Sequence, residues 1–191
     1  LSFEYRLAPE HHFPAPLEDV TKAWDYLMHL GYGARDIVVA GDSAGGNLAL
    51  VLTMLLRDTG RLLPRRLVLM SPWTDMTASG KSYRERRDAD PMITMNYIQA
   101  VRAAYAPGRE LSSPMLSPLF GDFDRFPPVL IQVGTNEILM SDSVRLRDRL
   151  VQAGIPCRLE VWPDMWHVFQ MFPMKKASQA MDSVGRFLLE T

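Results

Sequence analysis

The stretch Asp36–Leu56, DIVVAGDSAGGNLALVLTMLL, runs from a β-branched apolar segment through a glycine-rich turn into an almost unbroken apolar run. The segment before the turn has the composition of a buried strand, and the run after it is long enough for a helix buried on all sides. At the junction stands G-x-S-x-G, Gly41 to Gly45, with Asp42 before the serine and Gly46 after the motif. By chance alone such a pattern turns up in roughly one chain of this length in twenty. Its weight comes from the strand–turn–helix context, which a nucleophilic serine requires. A sharp turn there forces Ser43 toward unfavourable torsions, and only residues without side chains are expected to fit at Gly41 and Gly45. The Ser43 hydroxyl then stands clear of the sheet, with the Ala44 N–H at the helix start as a donor to a developing oxyanion.

Strand-like and helical stretches alternate outward from this point, the pattern of a parallel sheet flanked by helices. Strands are expected at Ser2–Tyr5, Asp36–Ala40, Arg66–Met70, Val129–Val133 and Arg158–Trp162. Helices are expected after Pro16, from about Asn47 to Arg57, over Ser141–Ala153 before Gly154, and over Met174–Leu189. Nearly sixty residues separate the second and third internal strands. They hold a charged run, SYRERRDADP, and a helical run, TMNYIQAVRAAYAPG, and are read as an inserted lid at about 74–115 within one domain spanning 1–191.

A serine nucleophile needs a base, and histidine is best poised near neutral pH. Of the four histidines, His11 and His12 lie in a proline-flanked loop and His29 near a helix end, where structural roles suffice. His167 follows the strand RLEVW, at the carboxyl end of the sheet where ligands of open α/β proteins collect. The base in turn needs a carboxylate. Glu137 is favoured, in the first residues beyond the strand PPVLIQV. Asp142 is held in reserve as an ordinary helix-start acid, and Asp164 stands third.

Composition narrows the partners. The 191 residues are 47% hydrophobic, and 21 basic side chains face 22 acidic ones. No basic footprint points to nucleic acid, no apolar stretch reaches bilayer length, and the histidine pair lacks a further ligand cluster for a metal. The single cysteine, Cys157, excludes an internal disulfide and favours a reducing, cytoplasmic setting.

Four pieces together resemble the bacterial hormone-sensitive-lipase-like (family IV) esterases of the α/β-hydrolase superfamily: YRLAPEHHFPAPLEDV, GDSAGGNLA, SPLFGDFDRFPPVLIQVGTNE and WPDMWHVF. They occur in the family's order, and the order Ser…Glu…His is that of α/β-hydrolases. The resemblance implies an α/β-hydrolase fold and a triad of Ser43, Glu137 and His167, although the acid is commonly aspartate in relatives. It implies hydrolysis of short- or medium-chain acyl esters through an acyl-enzyme, a small-molecule ester substrate and no cofactor. Met92, Ile93, Met95, Tyr97 and Ile98 are similar to a cap segment lining the acyl pocket.

Departures from the family pattern carry expectations of their own. The sequence opens at Leu1, four residues before Tyr5 of YRLAPE, without the family's H-G-G-G oxyanion motif, first strands or N-terminal cap. The family's third strand lies between the segment ending at Tyr5 and Asp36–Ala40, so that edge is expected to re-pair with the N-terminal strand, to join a second copy, or to be covered by residues of the molecule that precede this sequence. Two rival readings stay open here: a catalytically silent fold that binds a small ligand, and an inactive truncation product.

Overall fold

The computed structural model describes residues 1–190. Its centre is a sheet of four parallel strands in the order β1-β2-β3-β4: Val38–Asp42, Arg66–Met70, Val129–Gly134 and Cys157–Trp162. Each strand follows its neighbour in sequence, so the chain winds in one direction across the sheet. β2 and β3 are apolar and buried along nearly their whole length because helices cover both faces. Leu67, Leu69, Val129 and Ile131 point to one face and meet Leu50 and Met54 of α2 (Ala44–Asp58) and Leu146 and Leu150 of α5 (Met140–Gln152). Val68 and Leu130 point to the other, against Val184 and Phe187 of α6 (Lys175–Leu189). That strict alternation fixes the register, since a one-residue slip would reverse both faces. Each fully buried leucine or isoleucine contributes about 1.5–3 kcal/mol relative to exposure.

α2 is buried on all sides, as its sequence requires, and α1 (Ala15–His29) lies over it through Trp24 against Leu52 and Leu56. The connection from β2 to β3 carries two helices, α3 (Ser82–Glu85) and α4 (Met95–Tyr105). It has an apolar cluster of its own, in which Tyr83, Ile93 and Ile98 pack with Trp73 and with Ile138 and Leu139 from the start of α5's approach. Polar pins join the same parts. Ile138 N–H donates to Asp90 and the Ser82 hydroxyl donates to the Ile138 carbonyl, while Ser82 and Ser141 exchange hydrogen bonds between each backbone N–H and the other's hydroxyl.

The N-terminal expectation is corrected. Leu1–Leu7 forms no strand and pairs with nothing in the sheet. A strand needs a ladder about 4.8 Å away. Instead, a groove of about 430 Å³ separates Leu1–Tyr5 from β1, floored by Trp24 and Leu27 of α1 and Leu48 and Leu52 of α2. The segment is held from the other side, where Arg6 donates to Asp19 and Glu18 of α1. Those bonds to the guanidinium draw Asp19 well below the usual carboxylate range. The alternation in LSFEY is real, but the segment does not pair with the edge of β1.

Candidate active site

The turn between β1 and α2 places Ser43 at φ 50°, ψ −116°, a region that L-residues rarely occupy. The reason is the close approach of chain to chain. A Cβ on Gly41 would lie 2.3 Å from the Gly45 carbonyl oxygen, and one on Gly46 would lie 2.8 Å from Pro72 Cβ. Gly45 itself corrects the sequence reading, because a Cβ there would meet nothing within 4 Å. Its side-chain direction opens into the groove beside β1. The steric demand thus falls on Gly41 and Gly46. Asp42 ends β1 with its side chain toward solvent, and Ala44 opens α2.

Backbone bonds seat the turn against the end of β2. Ser43 N–H donates to Met70 (2.9 Å), and the Ser43 carbonyl accepts from Trp73 N–H (3.1 Å). Asn47, buried in the first turns of α2, donates its amide to the carbonyls of Trp73 and Leu116 (2.8 Å each), tying the helix start to the two residues that flank the inserted segment.

Between Met70 and Trp73 lies Ser71, fully buried and also left-handed at φ 48°. Its hydroxyl meets Glu137, whose other oxygen, Oε2, lies 3.1 Å from His167 Nδ1. Glu137 is fully buried and His167 nearly so. Of the three acids considered, Glu137 alone reaches the imidazole. Asp142 sits in the first turn of α5, where its Oδ2 accepts the N–H groups of Thr74 and Asp75 and the Tyr83 hydroxyl. Asp164 is on the surface near Lys176. Among the described residues no hydrogen bond joins Ser43 to His167, and such contacts commonly tighten only when substrate is bound.

The loops bearing acid and base are laced together. Thr135 N–H donates to the Trp162 carbonyl and Asn136 N–H to that of Met165, and a Cβ on Gly134 would strike the Met165 carbonyl at 2.2 Å. Val168, next to the histidine, is left-handed at φ 49° despite its β-branch. Strained backbone at Ser43, Ser71 and Val168 therefore gathers at the carboxyl ends of the strands.

A cleft of about 260 Å³ opens beside the serine turn, lined among others by Ala44, Trp73, Met76, Tyr97, Val101 and Tyr105. Tyr97, Val101 and Tyr105 recur every fourth residue and so share one face of α4. The expected cap residues divide accordingly. Tyr97 lines this cleft, whereas Ile93 and Ile98 are buried in the segment's own cluster, Met95 packs against that cluster, and Met92 is exposed. His12 accepts no such role: its Nδ1 lies 2.6 Å from the Ala104 carbonyl of α4. Among the described residues no group of three His, Cys, Asp or Glu could hold a metal ion, and no helix is long and apolar enough to cross a membrane.

Sequence reasoning missed Ser71, Gly134 and Asn47. A serine ahead of Pro72 at a strand end was the available signal for the first, but its torsion and partners appear only in three dimensions.

The sequence profile of the alpha/beta hydrolase fold family matches residues 1–171. An esterase of Acinetobacter venetianus is 36% identical over 187 residues, covering 96% of this chain and 62% of that protein. An acetyl-hydrolase of Streptomyces hygroscopicus is 35% identical, covering 98% of this chain and 64% of its own length. The crystal structure of an esterase from the bacterial hormone-sensitive lipase family superposes with a TM-score of 0.94 at 41% identity, covering 97% of this chain and 63% of that one. The chain belongs to the α/β-hydrolase fold family, in its hormone-sensitive-lipase-like branch. It spans a little under two thirds of the length of these relatives.

Proposed function

We propose that this chain carries the catalytic centre of a serine carboxylester hydrolase acting on short- or medium-chain acyl esters, without a cofactor. The observation that carries the reading is the buried Glu137–His167 pair at 3.1 Å, laid beside a strained serine turn. Glu137 holds the imidazole with Nδ1 protonated, which leaves Nε2 to accept the Ser43 proton. Ser43 Oγ attacks the ester carbonyl, and the Ala44 N–H at the head of α2 donates to the oxyanion. His167 passes the proton to the departing alkoxide, leaving an acyl-enzyme. Water activated by the same imidazole then releases the acid and frees Ser43. Gly41, Asp42, Gly45 and Gly46 form the turn, with Gly41 and Gly46 permitting its close contacts. The insert at about 74–115 covers the acyl side, and a cleft of about 260 Å³, just below the roughly 300–1,000 Å³ range of ligand sites, favours short acyl groups.

Treatment with a fluorophosphonate tests this directly. Mass is expected on Ser43 of the intact chain, and none on Ser43→Ala. Absence of any adduct on the unsubstituted protein at millimolar reagent and neutral pH would contradict the assignment.

The lone, half-buried Cys157, whose thiol burial pushes up to about 12, supports a reducing cytoplasm. The outer edge of β1 faces the groove rather than another strand, and such an edge is a template for pairing. A second copy joined there is the proposed partner. Sedimentation velocity over a hundredfold concentration range should reveal a dimer, and a single monomeric species throughout removes this partner.

A further inference from the structure

We propose that Ser71 is a positioning residue of the catalytic centre, its hydroxyl clamping the acid and the histidine loop at once; this rests on the ester-hydrolase reading above. The hydrogen-bond directions are fixed by chemistry. Val168 N–H can only donate, and it lies 3.1 Å from Ser71 Oγ. That contact occupies a lone pair of the hydroxyl, whose single proton is then free for Glu137 Oε1 at 2.8 Å. The same Oε1 accepts Gly134 N–H. Two donors on one oxygen arrest rotation of the carboxylate and leave Oε2 to face His167 Nδ1. A glutamate has one more rotatable bond than an aspartate, and these donors stop it.

The second arm of the clamp matters equally. Val168 is β-branched and left-handed, a conformation that persists only when its surroundings over-determine it. Ser71 Oγ is the acceptor that holds its N–H, and the preceding residue is the histidine. Ser71 is itself left-handed, with its N–H donated to the Gln132 carbonyl at 2.7 Å, extending the β2–β3 pairing by one bond. The hydroxyl is therefore aimed across the tops of β2 and β3 by strained backbone rather than by side-chain choice.

A purely structural serine would behave differently from this clamp, and Ser71→Gly separates the two. Glycine relieves the left-handed torsion while removing the hydroxyl; Ser71→Ala removes the hydroxyl and keeps the torsion. Three measurements are made on the 191-residue chain: the thermal midpoint, the rate of Ser43 phosphonylation, and the downfield proton resonance of His167 Nδ1–H, identified by its loss in His167→Gln. In both variants labelling is expected to slow by about 10–100-fold, the scale of one hydrogen bond to a charged group. The Nδ1–H resonance is expected to move upfield or broaden in both, although Ser71→Gly keeps its thermal midpoint. Labelling and resonance unchanged in Ser71→Gly would overturn the proposal. If the unsubstituted chain does not label at all, the hydrolase reading fails, while the resonance still decides the clamp: retained in both variants it is refuted, lost in both it stands.

Discussion

Gly41→Ala is expected to lower the thermal midpoint and slow Ser43 labelling by at least about 100-fold, whereas Gly45→Ala, four residues on, is expected to do neither. A methyl at position 41 would sit 2.3 Å from the Gly45 carbonyl oxygen and 2.8 Å from Gly46 N. Both are backbone atoms fixed by the start of α2, so the turn itself must open. Overpacking of this kind costs at least about 1–3 kcal/mol, and about 2–4 °C is lost per kcal/mol in a domain of this size. The kinetic penalty follows because a displacement of about 1 Å at the nucleophile removes about two orders of magnitude of rate. Position 45 is helical and its side-chain direction is empty. Alanine there is expected to stabilise by about 0.4–1 kcal/mol, through a less disordered unfolded chain and better helix propensity. Thermal melts of the two variants side by side decide the matter, and equal midpoints would show that the tight approach at Gly41 is not what holds the turn.

The second large effect is on the pH dependence of folding. Burial pushes the Asp142 carboxyl up to about 7 from an ordinary 3.8, with the charge of Asp75 adding to the rise and the N–H donors of Thr74 and Asp75 opposing it. The folded chain therefore keeps a proton that the unfolded chain gives up between about pH 4 and 7. The stabilisation is whole below about pH 4 and is lost as pH rises through 7, amounting to a few kcal/mol. Asp75 runs the other way. Burial raises it, but hydrogen bonds from Ser79, Thr77 and Arg145 outweigh that and draw it below 3.8, so its share is lost only in acid. Asp142→Asn should isolate the first effect. Among the described residues the three donors to Asp142 meet Oδ2 and none meets Oδ1, so an amide oxygen can take the same bonds without carrying charge. Denaturant titrations at pH 5 and pH 8 are expected to show a steep fall in stability for the unsubstituted chain and a much flatter one for the variant. Equal slopes would mean that Asp142 is ionised in the fold across that range.

Which parts of this molecule could be read from one dimension follows a physical line. β2 falls on Arg66–Met70, the expected bounds, because a run buried on both faces marks its own ends. Loop position favours Glu137 over Asp142, which stands at a helix start, and Glu137 Oε2 lies 3.1 Å from His167 Nδ1. Asp142 looked like a helix cap, but its carboxylate turns away to serve the chain at Thr74 and Asp75, a partner sixty-eight residues off in sequence for the first bond. LSFEY alternates as strands do, yet alternation records a residue's faces and not the presence of a neighbour. Gly45 resembles Gly41 in the motif, and only the folded turn, which presses backbone against position 41 and leaves position 45 open, distinguishes them. Ser71 is marked in the sequence only by its place before Pro72 at a strand end, since its part depends on a left-handed torsion and on two loops arriving from elsewhere.

The residue that follows the acid is riveted into the insert. Ile138 gives its N–H to Asp90, takes the Ser82 hydroxyl on its carbonyl, and buries its side chain with Tyr83 and Ile98. On the lid reading proposed above, displacing the insert is expected to disturb the neighbouring Glu137–Ile138 peptide plane, so that exposing the cleft and loosening the carboxylate are expected to go together. Amide exchange at Ile138 is therefore expected to report both movements in a single rate.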